Sequence, residues 1–301
     1  MTLHLRFLDH DTVRRLSRLQ LAARGLVEGF LAGLHGSAYL GASVEFAGHR
    51  NYVPGDEPRR IDWRVYARRD RYFVKQYREE TNLVAYLLVD GSASMTFAGR
   101  GMSKLVYACA LAEAISCIVL RQNDAACCGV FDREALAISP VGRGLSFLDQ
   151  LGDVLERIEP TAGTDTTAAM EQFLPYMPQR GITVVISDFI DDPRSIAEGL
   201  KRLKLAGHEV VALQVLDPLE LSFALAGPTR FEGIETPASL QVEPQRVRAA
   251  YLRSLHRHLH ALREGFGRAG IEYRLADTHK PIDEALLAYL AARQKRRRTA
   301  P

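Results

Sequence analysis

A carboxylate and two hydroxyls stand together where an apolar run of the chain ends. The run covers residues 83–89, and Asp90, Ser92 and Ser94 follow it. Such a run predicts a buried strand, and open α/β sheets bind ligands at the carboxyl ends of their strands. One acid with two hydroxyls suits Mg²⁺, which prefers hard oxygen ligands and keeps several waters. A helix N-cap cluster is the alternative interpretation, because Asp and Ser are also favoured there.

Two further loops bring oxygen atoms to the same predicted edge of the sheet. Residues 163–166 read Gly-Thr-Asp-Thr, and the apolar run 182–187 is followed by Asp188. Thr164 and Thr166 are both candidates, since either can face a metal and either can cap the next helix. Three loops therefore supply oxygen ligands to one place, and hydroxyl-rich ligands favour Mg²⁺ or Mn²⁺ over Ca²⁺.

The order D-x-S-x-S, then Thr, then Asp resembles the metal-ion-dependent adhesion site (MIDAS) of von Willebrand factor A domains. The resemblance implies that Ser92, Ser94 and Thr164 are the metal ligands, with Thr164 preferred because it follows a glycine as in the family motif. Asp90 and Asp188 then orient waters or coordinate the metal, and hold the serines. The resemblance further implies a protein partner whose Glu or Asp carboxylate completes the coordination of Mg²⁺ or Mn²⁺.

The residues after Asp188 depart from that family, many of whose members have glycine there. Phe189 is a candidate anchor for a partner, because an exposed aromatic side chain beside a metal binds well. Asp191 and Asp192 either add negative charge to the site or cap a helix beginning at Pro193, and the cap is favoured.

Alternating strands and helices from residue 83 predict an α/β fold, a doubly wound and mostly parallel sheet that is von Willebrand factor A-like and Rossmann-like. We predict an N-terminal helix and short-strand subdomain at 1–80, the main domain at 81–292 with an inserted loop or hairpin at 217–245, and a basic disordered tail at 293–301. Strands are expected at 83–89, 126–130, 135–138, 182–187, 209–216 and 271–276, and helices at 9–34, 103–122, 146–157, 166–176, 193–206, 244–268 and 282–292.

A second resemblance lies before the main domain. Residues 54–68 read Pro-Gly-Asp-x-x-Arg-x-Ile-Asp-Trp-x-x-x-Ala-Arg, similar to prokaryotic von Willebrand factor A-like proteins commonly encoded beside MoxR-type AAA+ ATPases. This resemblance covers nearly the whole chain and implies an adaptor or co-chaperone of such an ATPase. The alternating charges favour an internal salt-bridge network, and Trp63 is expected to be a buried packing anchor between this subdomain and the sheet. Alternatively, Arg59, Arg60 and Arg64 bind acidic partner loops or phosphates.

The composition is that of an ordinary folded protein. Of 301 residues, 47% are apolar and 25% charged, and the net charge of +3 is too weak to indicate nucleic acid. The four cysteines contain no C-x-x-C pair, which favours reduced core thiols in a cytoplasmic protein. Neither a signal peptide nor an apolar run of ~18 residues is evident.

The function favoured at this point is a metal-dependent protein-binding module rather than an enzyme. The sequence has no nucleophile elbow, P-loop, H-E-x-x-H or dinucleotide fingerprint. His256 and His260 have i, i+4 spacing without a third ligand, which favours a solvated helix face. One alternative is a metal-dependent phosphohydrolase at Asp90 and Asp188, which lacks a general base. Another is a weak nucleic-acid binder acting through its basic tail.

Overall fold

The computed structural model describes residues 43–53, 61–80, 83–121, 123–132, 136–160, 165–234, 238–284 and 286. The chain divides into two compact units, one formed by Phe30–Asn82 and the other by Met1–Gly29 with Leu83–Pro301. Several predicted features lie outside the described residues: the helix at 9–34, Arg59 and Arg60, Thr164, most of the last helix and the basic tail.

The smaller unit contains an antiparallel pair of strands. β1 (Ser43–Asn51) pairs with β2 (Phe73–Glu80), and helix α1 (Trp63–Arg69) precedes β2. Asp62 caps this helix by accepting hydrogen bonds from two backbone N–H groups of the first turn. This capping role explains why the signature segment has an aspartate directly before Trp63.

Trp63 does not form the buried anchor that was predicted. Its side chain is 58% exposed, and its ring meets the rings of Tyr66 and Tyr72 edge-on at 6.1 and 6.4 Å between centroids. Ile61 and Val74, which form a β-bridge, are the buried apolar residues of this region. The ring of Trp63 instead contacts tyrosines, of which Tyr72 is itself 47% exposed, so the prediction was wrong.

The larger unit is built on a seven-stranded sheet. Its strands are β3 (Val84–Asp90), β4 (Ala125–Phe131), β5 (Leu136–Ile138), β6 (Gly142–Arg143), β7 (Ile182–Ser187), β8 (Glu209–Leu216) and β11 (Glu272–Asp277). The parallel strands lie in the order β11-β8-β7-β3-β4, and β5 and β6 both pair antiparallel with β4. Every residue of β3 and β7 is buried, as expected for central parallel strands covered on both faces.

Helices cover both faces of this sheet, which confirms the doubly wound α/β prediction. The long helices are α2 (Lys104–Arg121), α3 (Leu148–Glu156), α4 (Thr166–Phe173), α5 (Pro193–Leu205) and α7 (Pro244–Arg268). Helices α4, α5 and α7 pack over one face, where Phe173, Leu200 and Phe266 join the main apolar cluster. Helices α2 and α3 pack against β3 and β4 and against each other. Most side chains of α2 are buried, so it lies within the domain rather than on its surface.

The insertion at 217–245 contains a short helix and a hairpin. Helix α6 (Pro218–Ser222) follows β8, and β9 (Thr229–Glu232) then pairs antiparallel with β10 (Ser239–Val242). Asp217 and Glu220 form a capping box that fixes the start of α6. Among the described residues, no helix is both long and apolar enough to cross a membrane.

The four cysteines are free and buried, as predicted for core thiols. Burial raises the pKa of the Cys109 thiol to about 12 and that of Cys127 to about 11. Because the thiolate is the reactive species, these residues are suited to packing and not to catalysis.

Candidate metal-binding site

Two neighbouring parallel strands place the two acids at the same edge of the sheet. Strand β3 pairs with β7, with Val89 opposite Ile186, so both strands end together. Asp90 ends β3 and Asp188 follows β7, and each is only 3% exposed. A 3₁₀ turn over Ala93–Thr96 follows β3 and carries Ser94. The structure thus brings together four of the five predicted ligands, namely Asp90, Ser92, Ser94 and Asp188.

The two serine hydroxyls have the spacing expected of neighbouring metal ligands. Ser92 Oγ and Ser94 Oγ lie 3.1 Å apart. Octahedral Mg²⁺ with bonds of 2.0–2.1 Å separates adjacent ligands by about 2.9 Å. The serine pair therefore fits one edge of such an octahedron.

The two carboxylates hold these serines in place. Ser94 Oγ donates to Asp188 Oδ2 at 2.8 Å, and the Ser92 backbone N–H donates to Asp90 Oδ1 at 2.9 Å. Ser187 Oγ donates to Asp90 Oδ2 at 2.5 Å. Sequence reasoning missed Ser187, although a hydroxyl just before the strand-ending acid signals that the strand is turning polar. Each acid therefore orients hydroxyl or amide groups, as the resemblance implied.

The environment of Asp90 is unfavourable for a second buried negative charge. Burial, followed by the nearby charge of Asp188, raises the pKa of Asp90 to about 6, while hydrogen bonds from Ser187 and Ser92 oppose this rise. Two buried carboxylates that repel each other are stabilised by a cation between or beside them.

Lys104 is a buried cation that the sequence analysis did not identify. Its Nζ donates to Asp188 Oδ2 at 2.8 Å and to Glu220 Oε1 at 2.7 Å, and the residue is 1% exposed. Burial alone lowers the pKa of Lys104, but the carboxylates of Asp188 and Glu220 outweigh it and raise the pKa. The available signal was a lysine at the first position of an apolar helix, where the helix dipole disfavours a positive charge.

Other groups fix the turn that follows β7. Gln214 Nε2 donates to the carbonyl of Asp188 at 2.6 Å, and the Tyr273 hydroxyl donates to Gln214 Oε1 at 2.6 Å. His258 Nε2 donates to the carbonyl of Phe189 at 2.7 Å. These contacts hold the backbone of the acid, so Asp188 has little freedom to move.

Phe189 is buried and does not offer the exposed anchor that was predicted. It is 2% exposed, and its ring lies 5.7 Å from that of Phe266 in helix α7. Its φ of 49° turns the chain in the left-handed region and directs the ring into the core. Ile190 is the exposed apolar residue of this turn, at 56%. Asp192 caps α5 by accepting from Ser195 N at 3.0 Å, which confirms the favoured interpretation.

Of the two threonine candidates, only Thr166 can be described. It is buried and begins α4, after Asp165, which caps the helix by accepting from Ala168 N at 3.0 Å. His256 and His260 are exposed on α7, as expected for a solvated helix face. No group of three or more His, Cys, Asp and Glu side chains in the described part of the chain is arranged to hold a metal. The candidate site therefore depends on hydroxyls.

A doubly wound sheet whose central strand ends in D-x-S-x-S defines a von Willebrand factor A-like α/β domain. More specifically, the chain belongs to the family described as "Protein of unknown function DUF58", which matches residues 48–261. The uncharacterised protein Rv1480 of Mycobacterium tuberculosis is 28% identical over 279 residues, spanning 91% of this chain and 82% of that protein.

Two of the solved structures that are similar to this chain come from Bacteroides species. BatB, a conserved hypothetical protein from Bacteroides thetaiotaomicron, has 16% identity and a TM-score of 0.45, covering 71% of this chain and 99% of its own. An aerotolerance-related membrane protein from Bacteroides fragilis has 17% identity and a TM-score of 0.42, covering 70% and 99% respectively.

Proposed function

We propose that this protein is a metal-ion-dependent protein-binding module of the MIDAS type. Ser92 and Ser94 would hold Mg²⁺ or Mn²⁺ directly, together with Thr164, while Asp90 and Asp188 orient the serines and bound waters. The observation that carries this proposal is the 3.1 Å separation of the two serine hydroxyls. A buried acid fixes each serine, Asp188 through the Ser94 hydroxyl and Asp90 through the Ser92 backbone N–H.

The chemistry of these ligands favours binding over catalysis. The hydroxyls of Ser92 and Ser94 are neutral, so a dication held by them keeps most of its charge and attracts a further anionic ligand. A Glu or Asp carboxylate of a partner protein supplies such a ligand. Ile190, exposed two residues after Asp188, offers the partner an apolar contact beside the charge.

The partner that we propose is a MoxR-type AAA+ ATPase, for which this protein acts as adaptor or co-chaperone. This part of the proposal rests on the resemblance of residues 54–68 to proteins encoded beside such ATPases. The four free, buried cysteines fit a cytoplasmic location, where thiols stay reduced.

Co-precipitation with a MoxR-type AAA+ ATPase of the same organism tests the proposal. We expect capture in Mg²⁺ that is abolished by EDTA and by Asp90→Ala. Asp149→Ala, which removes an exposed acid in the first turn of α3, is the matched control and should behave as wild type. Capture that is indifferent to both EDTA and Asp90→Ala contradicts the metal-dependent docking role.

A metal-dependent phosphohydrolase is the alternative function at the same residues. Such an enzyme needs a cation free to bind phosphate, whereas Lys104 is buried and paired with Asp188 and Glu220. Incubation with p-nitrophenyl phosphate and Mg²⁺ separates the two functions. Turnover that is lost in Asp90→Ala would favour the hydrolase.

The basic tail provides the remaining alternative, a weak contact with nucleic acid. Binding of this kind depends steeply on salt, since it displaces counterions. Salt-sensitive binding of a DNA duplex that disappears on deletion of residues 293–301 would support it.

A further inference from the structure

We infer that Lys104 is a built-in counter-cation of the candidate metal site, which keeps the site assembled without metal and lowers its affinity for divalent cations. This inference rests on the proposed function and adds the means by which metal occupancy is regulated. One carboxylate oxygen, Asp188 Oδ2, accepts hydrogen bonds both from Ser94 Oγ and from Lys104 Nζ, each at 2.8 Å.

Lys104 is held where it cannot easily leave. Its ammonium lies between Asp188 Oδ2 and Glu220 Oε1, and also 5.8 Å from the centre of the Phe97 ring. The side chain is 1% exposed, so moving it away would leave two carboxylates without their cation in a poorly solvated place. The positive charge is therefore a permanent part of the site.

Glu220 links this cation to the segment that follows β8. Its other carboxylate oxygen, Oε2, accepts from Asp217 N at 2.8 Å, and Asp217 in turn accepts from Gly99 N at 3.0 Å. Gly99 belongs to the loop that carries the serines. The ammonium is thus fixed from both sides by backbone-anchored groups.

The electrostatic consequence has a definite sign. The ammonium of Lys104 offsets part of the negative charge of Asp188, which would otherwise attract a dication. The ammonium also repels the dication directly. The carboxylate of Glu220 also pairs with this ammonium, so it reduces the repulsion between Lys104 and the dication. Removing Glu220 alone should therefore weaken metal binding, whereas removing Lys104 together with Glu220 should strengthen it.

The test is titration of Mn²⁺ into chelator-treated protein, with free Mn²⁺ counted by electron paramagnetic resonance. We expect Lys104→Met/Glu220→Gln to bind at least about tenfold more tightly than wild type, and Glu220→Gln to bind several-fold more weakly. Lys201→Met/Glu198→Gln removes an exposed pair on α5 and should leave the affinity unchanged. A merely structural role for the lysine does not produce opposite changes in the two variants.

Folding is checked by the melting transition of each protein in EDTA. Glu220→Gln keeps the contact of Lys104 with Asp188, so it tests the sign of the effect even if the double variant does not fold. If wild type and both variants bind Mn²⁺ equally tightly, the inference is wrong but the metal-site proposal is retained. If neither wild type nor Lys104→Met/Glu220→Gln binds Mn²⁺, the metal-site proposal is wrong as well. Binding by the double variant alone supports the inference.

Discussion

Ser94 donates its hydroxyl proton to Asp188 Oδ2 at 2.8 Å, although 94 positions separate the two residues in the chain. A hydroxyl has one proton and two lone pairs. Because its proton goes to Asp188, Ser94 Oγ accepts from Ser92 Oγ at 3.1 Å, which leaves one lone pair of Ser94 available to a cation. It also joins the loop after β3 to the loop after β7. The metal-binding candidates therefore depend on the alignment of two adjacent strands, and several outcomes follow from that dependence.

The stability of the metal-free protein should depend on the charge of Asp90. The native pKa of about 6 lies above the ordinary value of 3.8, so the folded state binds more protons between these values. Asp90 therefore contributes its full stabilisation below pH 4, where it is protonated in both states. As the pH rises through 6, the free energy of unfolding should fall by on the order of 3 kcal/mol.

Urea unfolding in EDTA between pH 4 and pH 7 measures this loss. Asp90→Asn cannot ionise, so the difference in stability between wild type and this variant should change over that range, with the variant gaining as the pH rises. Parallel profiles for the two proteins would show that Asp90 titrates normally.

Metal binding should have the opposite pH dependence. A dication favours the charged form of Asp90, so below pH 6 it must displace a proton, and its affinity should fall by up to about tenfold for each pH unit. Calorimetric titration of Mg²⁺ at pH 5.5 in buffers of different ionisation enthalpy reports the released proton. Equal affinity at pH 5 and pH 7 is incompatible with this linkage.

Asp192 should stabilise helix α5 without contributing to the metal site. Asp192→Ala removes the side chain that accepts from Ser195 N, which should cost about 1 kcal/mol of unfolding free energy. Thermal unfolding measures the cost, and Mg²⁺ affinity should stay at the wild-type value. Asp191→Ala serves as the exposed comparison. Weaker Mg²⁺ binding in Asp192→Ala would instead indicate that its charge reaches the metal.

The pairing of β3 with β7 should be sensitive to Gly181, at the opposite edge of the sheet. A Cβ on Gly181 would overlap the Val84 carbonyl oxygen, and this backbone atom cannot move aside. Gly181→Ala should therefore lower the free energy of unfolding by at least about 2 kcal/mol. Gly267→Ala, in α7 with open space around it, should raise it by about 1 kcal/mol. Urea unfolding compares the two, and a neutral Gly181→Ala would contradict the strand spacing.

Elements with strong local signals were predictable from the sequence. The predicted strands at 182–187 and 209–216 and the helix at 244–268 have the bounds seen in the structure. Long apolar runs mark the two strands, and a proline at the first turn with a leucine stripe marks the helix. The order of the site motifs then placed Asp90 and Asp188 at one edge.

Contacts made through tertiary structure were not predictable. Lys104 reaches Asp188 and Glu220 across 84 and 116 positions, and no local pattern specifies such a pair. The exposure of Trp63 and the burial of Phe189 were predicted incorrectly, because both depend on how the backbone turns. A left-handed φ at a phenylalanine is uncommon and has no sequence signal.

The central claim is that Ser92 and Ser94 hold a divalent metal. Its most direct test is calorimetric titration of Mg²⁺ and Mn²⁺, to millimolar concentrations, into chelator-treated wild type and Ser92→Ala/Ser94→Ala, with matching melting curves to establish folding. The structure predicts saturable binding by wild type and none by the double variant. Equal binding by wild type and Ser92→Ala/Ser94→Ala would contradict the claim, as would the absence of binding by both folded wild type and folded Lys104→Met/Glu220→Gln. Either result would leave Asp90, Ser92 and Ser94 as a capping cluster at the end of β3.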